Sequence, residues 1–581
     1  MADFHFSPRP NRAGEIGWMT WGDDALASAA SQDKPILLGI SAVWCHWCHV
    51  MDETTYSDPG VIDAINRHFV AVRVDNDERP DINARYNMGG WPTTAFLTPD
   101  GSTITGFTYL PPSQMRRALD EIARFYTEGR SEIAARTHDI RVNDVAAPAS
   151  GPIALQPEIV TNVAQSIAAG YDPEFGGFGN APKFPQPEVL EFLLARSRAG
   201  GDVVYYDMVA RTMREMSSGG MYDRIEGGFF RYSTTRDWSV PHFEKMAEDH
   251  AGLIRVLAQL QLCSPRAEWC STLQSTLAYL RNVFIDETTS FFAGSQDADE
   301  AYFALDLETR RRRPVPYVDH RSYSNWTAGL AGAFAWASSA LDDDSLAVQA
   351  CATLDSMHER LRDENGLIYH VFEPGAQPRV RGLLVDQAAY LRALIDTYEH
   401  TGEKRFIDRA IAHAATATTH FASAGGGFVD HAGLETAIGR LGIADRPIVD
   451  NGIMAETLLR LSAITADERY RAQAVETLQL YGNTYASAGQ FAATYARALD
   501  RYFAPATSVA LDGTAGKTRA LRAAAFSLPV AFVSVAMRDC DGPPAAYVCR
   551  GTVCAAPVSE AHRMIEALES IAGIPGDDAR A

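Results

Sequence analysis

Between residues 156 and 505 one short polar loop returns six times: DPEFGGF at 172–178, DRIEGGFF at 223–230, DETTSFF at 286–292, DENGLIY at 363–369, SAGGGF at 423–428 and SAGQF at 487–491. Equivalent positions lie about 63 residues apart on average, room for two helices and their connections. The segments between them, such as DHAGLIRVLAQLQLC, AYLRALIDTYEHTG and GIMAETLLRLSAIT, space their apolar residues at three and four. Six helical hairpins are expected. A row of hairpins can stay open as a solenoid or close on itself. With the polar loops on one end of every hairpin, closure gathers them around one mouth, so an (α/α)6 toroid is expected over residues 158–505. In the GGF loops, glycine permits positive φ at a tight helix exit while phenylalanine plugs the core.

The chain before the repeats has a different rhythm. From residue 22 to about 130 it alternates helix and strand in the order βαβ followed by ββα, the layout of a thioredoxin domain. The domains expected are a thioredoxin-like α/β domain at 1–142, a Pro/Ala/Ser/Gly-rich linker at 143–157, the all-α toroid, and a small α/β appendage at 506–581. In the appendage AFSLPVAFVSVAM reads as a strand and SEAHRMIEALESI as a helix.

The first domain carries SAVWCHWCHVMDE at residues 41–53. Cys45 and Cys48 follow an apolar strand and open a helix, where backbone N–H groups and the helix dipole favour a thiolate. Cys45 is read as the nucleophile and Cys48 as the resolving thiol. A protonated His46 between them would stabilise the thiolate further, and Trp44 would flank it. Trp91-Pro92, at the entry to the strand TTAFLT, is where thioredoxin folds hold a cis proline against the CxxC pair.

Other chemistries compete for that segment. C-H-W-C-H fits the c-type haem attachment pattern, a chemistry of the cell exterior. On a helix Cys45, Cys48 and His49 share a face and can supply three metal ligands, with no second ligand pair near in sequence. Two buried thiols with no chemistry would not need this spacing. Disulfide exchange is the expectation, with no metal and no cofactor. Cys549 and Cys554, in YVCRGTVC, read as structural because their spacing does not suit a helical CxxC.

The formal charge of −21 repels phosphate backbones and argues against nucleic acid as a partner. The one basic run, Arg310 to Arg313, reads as a solvated loop. No apolar run reaches the roughly 18 residues of a membrane span. The N-terminal segment shows no apolar h-region, so a cytoplasmic location is expected.

Chemistry in the toroid concentrates in DWSVPHFEKMAEDH, residues 237–250. His242, Glu244 and Lys245 offer a base, an acid and a charge stabiliser, and Trp238 and Tyr232 offer rings to stack on a sugar. Sugar epimerases and isomerases take a proton from carbon and return it, which suits His or a perturbed Glu. Glycoside hydrolysis needs two carboxylates, with Asp297, Asp299 or Glu300 facing Glu244 or Asp223. The structural alternative is an ion pair of Glu244 with Lys245 that, with His242, knits loops together. Lys183 can be a loop anchor or a substrate contact.

These residues resemble a known family. KPILLGISAVWCHWCHVMDETTYSD, VRVDNDERPDI, GGWPTTAFLTPDG, GGFGNAPKFPQP, DWSVPHFEKM, SQDADE and AYVCRGTVCAAPV are similar to segments of the spermatogenesis-associated protein 20 family across nearly the whole chain. The resemblance implies a thioredoxin-like domain followed by an (α/α)6 barrel similar to N-acylglucosamine 2-epimerases and six-hairpin glycosidases. It adds Arg231, in the GGFFRYS segment, to the barrel candidates. The chain departs from the pattern at Arg224 and Phe230, where histidines are usual, and after DAD, where AYFALDLETRRRR stands. Three functions are expected in order: a thiol-disulfide oxidoreductase acting on a protein dithiol or disulfide, a sugar-active barrel acting on a small carbohydrate, and a redox-sensing scaffold.

Overall fold

The computed structural model describes residues 4–135, 153–433, 438–538 and 540–571. The chain divides into two compact units, Met1–Ala149 with Asp430–Asp445, and Ser150–Val429 with Arg446–Ala581. Of the linker expected at 143–157, residues 143–152 lie outside those described.

The first unit is built on a four-stranded sheet in the order β2-β1-β3-β4, formed by β1 (Ile36–Ser41), β2 (Val70–Asp75), β3 (Thr93–Leu97) and β4 (Thr103–Phe107). β1 runs parallel to β2 and antiparallel to β3. β1 is apolar throughout because both of its faces are covered. Leu37 points to one core with Met51, Val61, Phe96 and Leu119. Ile36, Leu38 and Ile40 point to the other, with Val72, Ala95 and Tyr86. The helices are α1 (Asp23–Gln32), α2 (His46–Glu53), α3 (Pro59–His68), α4 (Pro80–Tyr86) and α5 (Pro112–Glu128). Asp58 caps α3 by accepting from the N–H groups of Gly60 and Val61, each 3.0 Å away, with Pro59 at the first position.

The excursion 430–445 is a finding that periodicity did not supply. It falls within the range read as toroid, yet Leu441 and Ile438 pack into the second core of the thioredoxin-like unit. Arg85 Nη2 donates to Asp430 Oδ2 at 2.7 Å and to the Ile443 carbonyl at 3.0 Å. Gly101 and Gly439 meet so closely that a Cβ on Gly101, at φ 81°, would stand 2.7 Å from Gly439 Cα.

In the second unit twelve helices alternate: α6 (Glu158–Ala169), α7 (Pro187–Gly200), α8 (Val203–Ser218), α9 (Ala247–Cys263), α10 (Ala267–Val283), α11 (Ser324–Leu341), α12 (Asp344–Arg360), α13 (Leu384–Thr401), α14 (Lys404–Phe421), α15 (Ile448–Thr465), α16 (Glu468–Gln479) and α17 (Ala493–Phe503). Contacts run from α7 to α9, α11, α13, α15, α17 and back to α7, which closes an inner ring of six. The other six helices lie outside it, each against an inner neighbour. This is an (α/α)6 toroid. Turns of two or three residues leave the C-terminal ends of the inner helices α7, α9, α11, α13 and α15, and the long loops all enter their N-terminal ends.

The repeated loop is one physical module. In the first four copies an aspartate, Asp172, Asp223, Asp286 or Asp363, accepts from two backbone N–H groups just after it. Isolated bridges such as Tyr171 to Phe178 and Tyr222 to Phe229 close the turn. Gly177 and Gly228 sit at φ 73° and 84°, and Phe178 and Phe229 are buried. The N–H groups of Phe229, Ile368 and Phe428 then donate to His250, Gln387 and Asn451, each the fourth residue of its inner helix.

The C-terminal part of this unit is a sheet in the order β6-β5-β7-β8: β5 (Thr507–Asp512), β6 (Ser534–Arg538), β7 (Ala545–Arg550) and β8 (Val553–Cys554). It carries α18 (Arg519–Phe526) and α19 (Met564–Ile571). The single strand expected over AFSLPVAFVSVAM is instead the end of α18 followed by β6, because the proline at 529 and the apolar turn before it break the run.

Candidate functional site

Two groups of residues concentrate chemistry, one in each unit. In the first, β1 ends at Ser41 and the chain turns into α2 with Cys45 as its N-cap. The Cys48 N–H donates to Cys45 Sγ at 3.2 Å, and the two cysteines are joined as a disulfide with Cα atoms 5.2 Å apart. Cys45 is 5% exposed and Cys48 2%, while His46 and Trp47 on the same turn are exposed. Cys45 is therefore set just below the surface rather than on it. Trp44 Nε1 donates to the buried Asp77 at 2.6 Å, and its ring meets Trp91 edge-on at 5.8 Å. The Trp91-Pro92 peptide is cis.

His49 turns away from this surface. Its ring lies 6.3 Å from that of His5, and burial pulls its pKa below the ordinary value against the pull of Asp52. Among the described residues no His, Cys, Asp and Glu side chains group in threes as metal ligands, so Cys45, Cys48 and His49 do not gather. Cys549 and Cys554 face each other across the β7–β8 hairpin as a second disulfide.

The second group lies at the loop end of the toroid and departs from several expectations. Glu244 and Lys245 do not pair. Adjacent residues of an extended segment point to opposite sides, so Glu244 meets His242 Nδ1 at 2.6 Å while Lys245 Nζ donates to Asp223 at 2.9 Å and to the Gly227 carbonyl at 2.8 Å. Arg310, read as solvated, is buried and donates to the same Asp223 oxygen at 2.7 Å and to Glu226 at 2.9 Å. Burial opposes the Asp223 charge, but Lys245 and Arg310 outweigh it and hold the carboxyl below its usual range. Burial draws Lys245 down to about 8 despite Asp223. Lys183 forms a matching clasp on the previous loop, donating to Asp172 and the Gly176 carbonyl, which makes it a loop anchor.

Trp238 is fully buried and donates from Nε1 to the Phe175 carbonyl, so it offers no face to a sugar. Tyr232 is stacked by Phe184 at 4.8 Å and by His242 at 4.9 Å, which occupies its ring. Asp299 caps the short helix Glu300–Phe303 through the Tyr302 N–H, and Asp297 accepts from the Ala298 N–H. Asp223 and Asp299 are thus committed to holding loops. Phe230, at a departure from the family pattern, packs with Phe243 and Phe303.

What remains is a set the sequence reading passed over. Glu188, in the first turn of α7, and Glu248, in the first turn of α9, are exposed, and Asp249 beside Glu248 is half-buried, each with protein packed around it. The surrounding protein, with repulsion from Glu191, raises Glu188, and with repulsion from neighbouring carboxylates it pushes Glu248 and Asp249 up to about 7 against the pull of Arg231. Asp249 Oδ2 is buried without a hydrogen-bond partner. His242 is drawn down by burial and up by Glu244, and its pKa ends above the ordinary value. The only sequence signal for these carboxylates is an acidic first turn, which any helix favours.

Comparison with known proteins places these groups in context. Residues 9–143 match the family model Thioredox_DsbH, described as a protein of unknown function, DUF255. Spermatogenesis-associated protein 20 of Rattus norvegicus is 32% identical over 308 residues, covering 49% of this chain and 39% of that protein. The match thus spans about two-fifths of the relative's length. The thiol:disulfide interchange protein DsbD of Pseudomonas fluorescens is 33% identical over 81 residues, 13% of this chain and 14% of that one. Among solved structures, cellobiose 2-epimerase from Bacillus thermoamylovorans is 14% identical with a TM-score of 0.47, covering 57% of this chain and 87% of that one. The resemblance to spermatogenesis-associated protein 20 therefore holds over about half of the chain, and residues 9–143 match the DUF255 thioredoxin-like family model.

Proposed function

We propose that the protein exchanges disulfides with a protein partner through Cys45 and Cys48. The observation that carries this reading is the Cys45 sulfur at the cap of α2, accepting the Cys48 N–H at 3.2 Å. That bond and the helix dipole favour a thiolate once the pair is reduced. Cys45 then attacks a partner disulfide, forming a mixed disulfide and releasing one partner thiolate. Cys48 attacks Cys45 Sγ, the mixed bond breaks, and the second partner thiol leaves. Two electrons pass to the partner and the protein is left as the Cys45–Cys48 disulfide. The test is alkylation of the reduced protein across pH together with reduction of insulin by dithiothreitol. A Cys45 pKa below the ordinary value of about 8.5, catalysis lost in Cys45→Ser, and a trapped mixed disulfide in Cys48→Ser are expected. A Cys45 that titrates as an ordinary thiol in a chain without reductase activity rules the reading out.

A second reading belongs to the toroid and rests on Glu248 and Asp249. Carboxyl groups with pKa values near 7 exchange protons readily at neutral pH, and Arg231 beside them suits a developing enediolate charge. This supports proton transfer at the carbon next to a sugar carbonyl. In deuterium oxide, free aldoses would lose the C2 proton signal and ketoses a C1 proton signal with the wild type, and both would keep them with Glu248→Gln. No exchange with any sugar would leave this end of the ring as architecture.

A further inference from the structure

The interior of the ring, from the second turn of α7 and α17 towards the short-turn end, holds a second concentration of charge, which Glu188 joins to the first. Glu191 on α7 accepts from Arg255 Nε at 2.9 Å, Arg392 at 2.7 Å and Arg497 at 2.6 Å. Asp396 accepts from Arg255 and, at 2.7 Å, from Arg460, which also reaches Glu399. Glu456 accepts from Arg497 at 2.9 Å and from Arg501 at 3.4 Å. Arg198 stands beside them with no carboxylate partner among the described residues, its guanidinium bonded to the carbonyls of Phe526 and Leu528. Six guanidinium groups therefore meet five carboxylates, Glu188 facing Arg392 and Arg497 as the fifth.

One positive charge is left over in a setting where an uncompensated charge is costly. The carboxylates give no relief by protonating: despite burial, the surrounding arginines hold Glu191 well below its usual range, Asp396 below it, and Glu456 at about 2. Burial lowers Arg392, and lowers Arg501 to about 10, whereas against burial the carboxylates hold Arg255, Arg460 and Arg497 above the ordinary value. The donors are also incompletely used: the Nε atoms of Arg460 and Arg392 are buried with no hydrogen-bond partner, and Arg460 is only 4% exposed.

The surplus borders a recess of about 40 Å³, walled by Arg198, Arg255, Arg460, Arg497 and Arg501 against the two carboxylates Glu399 and Glu456, and roofed by residues 530–533 of the C-terminal segment. A single water needs roughly 10–15 Å³ measured in this way. The space suits a few waters or one compact tetrahedral anion and is too small for a sugar ring. Phe532 stacks over Arg501 at 4.5 Å and limits its other directions.

We propose that this recess binds a small inorganic oxyanion of the phosphate or sulfate class, which neutralises the surplus guanidinium charge and fastens the segment 526–533 to the ring. Because the roof and the walls come from distant parts of one folded unit, the anion binds the folded state and stabilises it.

The test titrates inorganic phosphate into the full-length chain in a phosphate-free buffer, with ionic strength held constant by potassium chloride, reading calorimetric heat and the thermal midpoint. One-to-one binding, a saturable rise in the midpoint and competition by sulfate are expected. Arg501→Gln should weaken binding by about tenfold or more. Phe532→Trp, which keeps every charge and fills the recess, should abolish it, and decides the matter if Arg501→Gln does not fold. Glycerol phosphate separates a free anion from the phosphoryl group of a larger molecule and should not bind. The assignment is overturned if phosphate gives no saturable signal, if both variants bind it as the wild type does, or if glycerol phosphate binds equally tightly.

Discussion

His242 and Glu244 show how much of a site can hang on one spacing. Two residues apart on an extended segment, they share a side, and Glu244, almost fully buried, takes the imidazole Nδ1 at 2.6 Å. Burial alone would lower the histidine, but the carboxylate outweighs it and the folded pKa is raised above 6.5. The stabilisation from this pair is therefore fully present below about pH 6.5, the unfolded value, and fades as pH rises through the raised folded value. Glu244→Gln should lower the His242 pKa in an imidazole NMR titration. In urea unfolding it should cost about 1.5 to 3 kcal/mol on the acid side, with a smaller gap on the alkaline side. A gap independent of pH would mean that the pair's charge plays no part. The sequence displayed these residues in VPHFEKM, and the period of two was enough to separate Glu244 from Lys245. It could not show that Asp223 and Arg310, 87 positions apart, share a lysine-bound clasp, because an arginine in a basic run reads the same whether solvated or buried.

At the scale of elements, helices and repeat loops were legible because each depends on local chemistry: apolar spacing, an aspartate closing a turn, a glycine at positive φ. Which helices touch was not. Gly452 in α15 sits inside GIMAETLLRLSAIT, where it looks like a minor fault in a helix. In the ring it is the point where α15 meets the first turn of α17: a Cβ there would stand 2.6 Å from the Tyr495 nitrogen and 2.7 Å from the Thr494 carbonyl carbon. Those are backbone atoms and cannot rotate aside. Gly452→Ala gains about 1 kcal/mol in helix propensity, yet should lower stability on balance, since overpacking of this kind costs about 1 to 3 kcal/mol and a backbone clash lies at the upper end. Chemical denaturation measures the difference. A more stable alanine variant would mean that the two helices do not approach as closely as the ring requires.

For the whole molecule, closure inverts the usual meaning of a polar helix face. Arg392, Asp396 and Glu399 lie four and three residues apart on α13, a stripe that in a surface helix would face water. In an inner helix there is no outside, and the stripe turns to the axis of the ring, where it meets Arg460 and Arg255. Pattern reading therefore found the hairpins and missed the charged interior. It missed for the same reason the role of the C-terminal sheet, which read as an appendage. Glu399 accepts the Val535 N–H at 3.0 Å and the Tyr398 hydroxyl accepts the Met537 N–H at 2.8 Å. Phe526 stacks on His400 at 3.9 Å and packs against Trp336 at 5.1 Å. Ending the chain after residue 505 would strip a donor from a buried carboxylate and expose the Trp336 and Leu262 face that packs on the C-terminal core. A buried carboxylate oxygen left without its donor costs about 1 to 3 kcal/mol, and lost apolar burial adds about 25 cal/mol for each Å². The ring without residues 506–581 should therefore unfold at clearly lower denaturant, or fail to fold cooperatively, in circular dichroism. A truncated ring with the wild-type midpoint would mean that neither these hydrogen bonds nor this packing supports the ring.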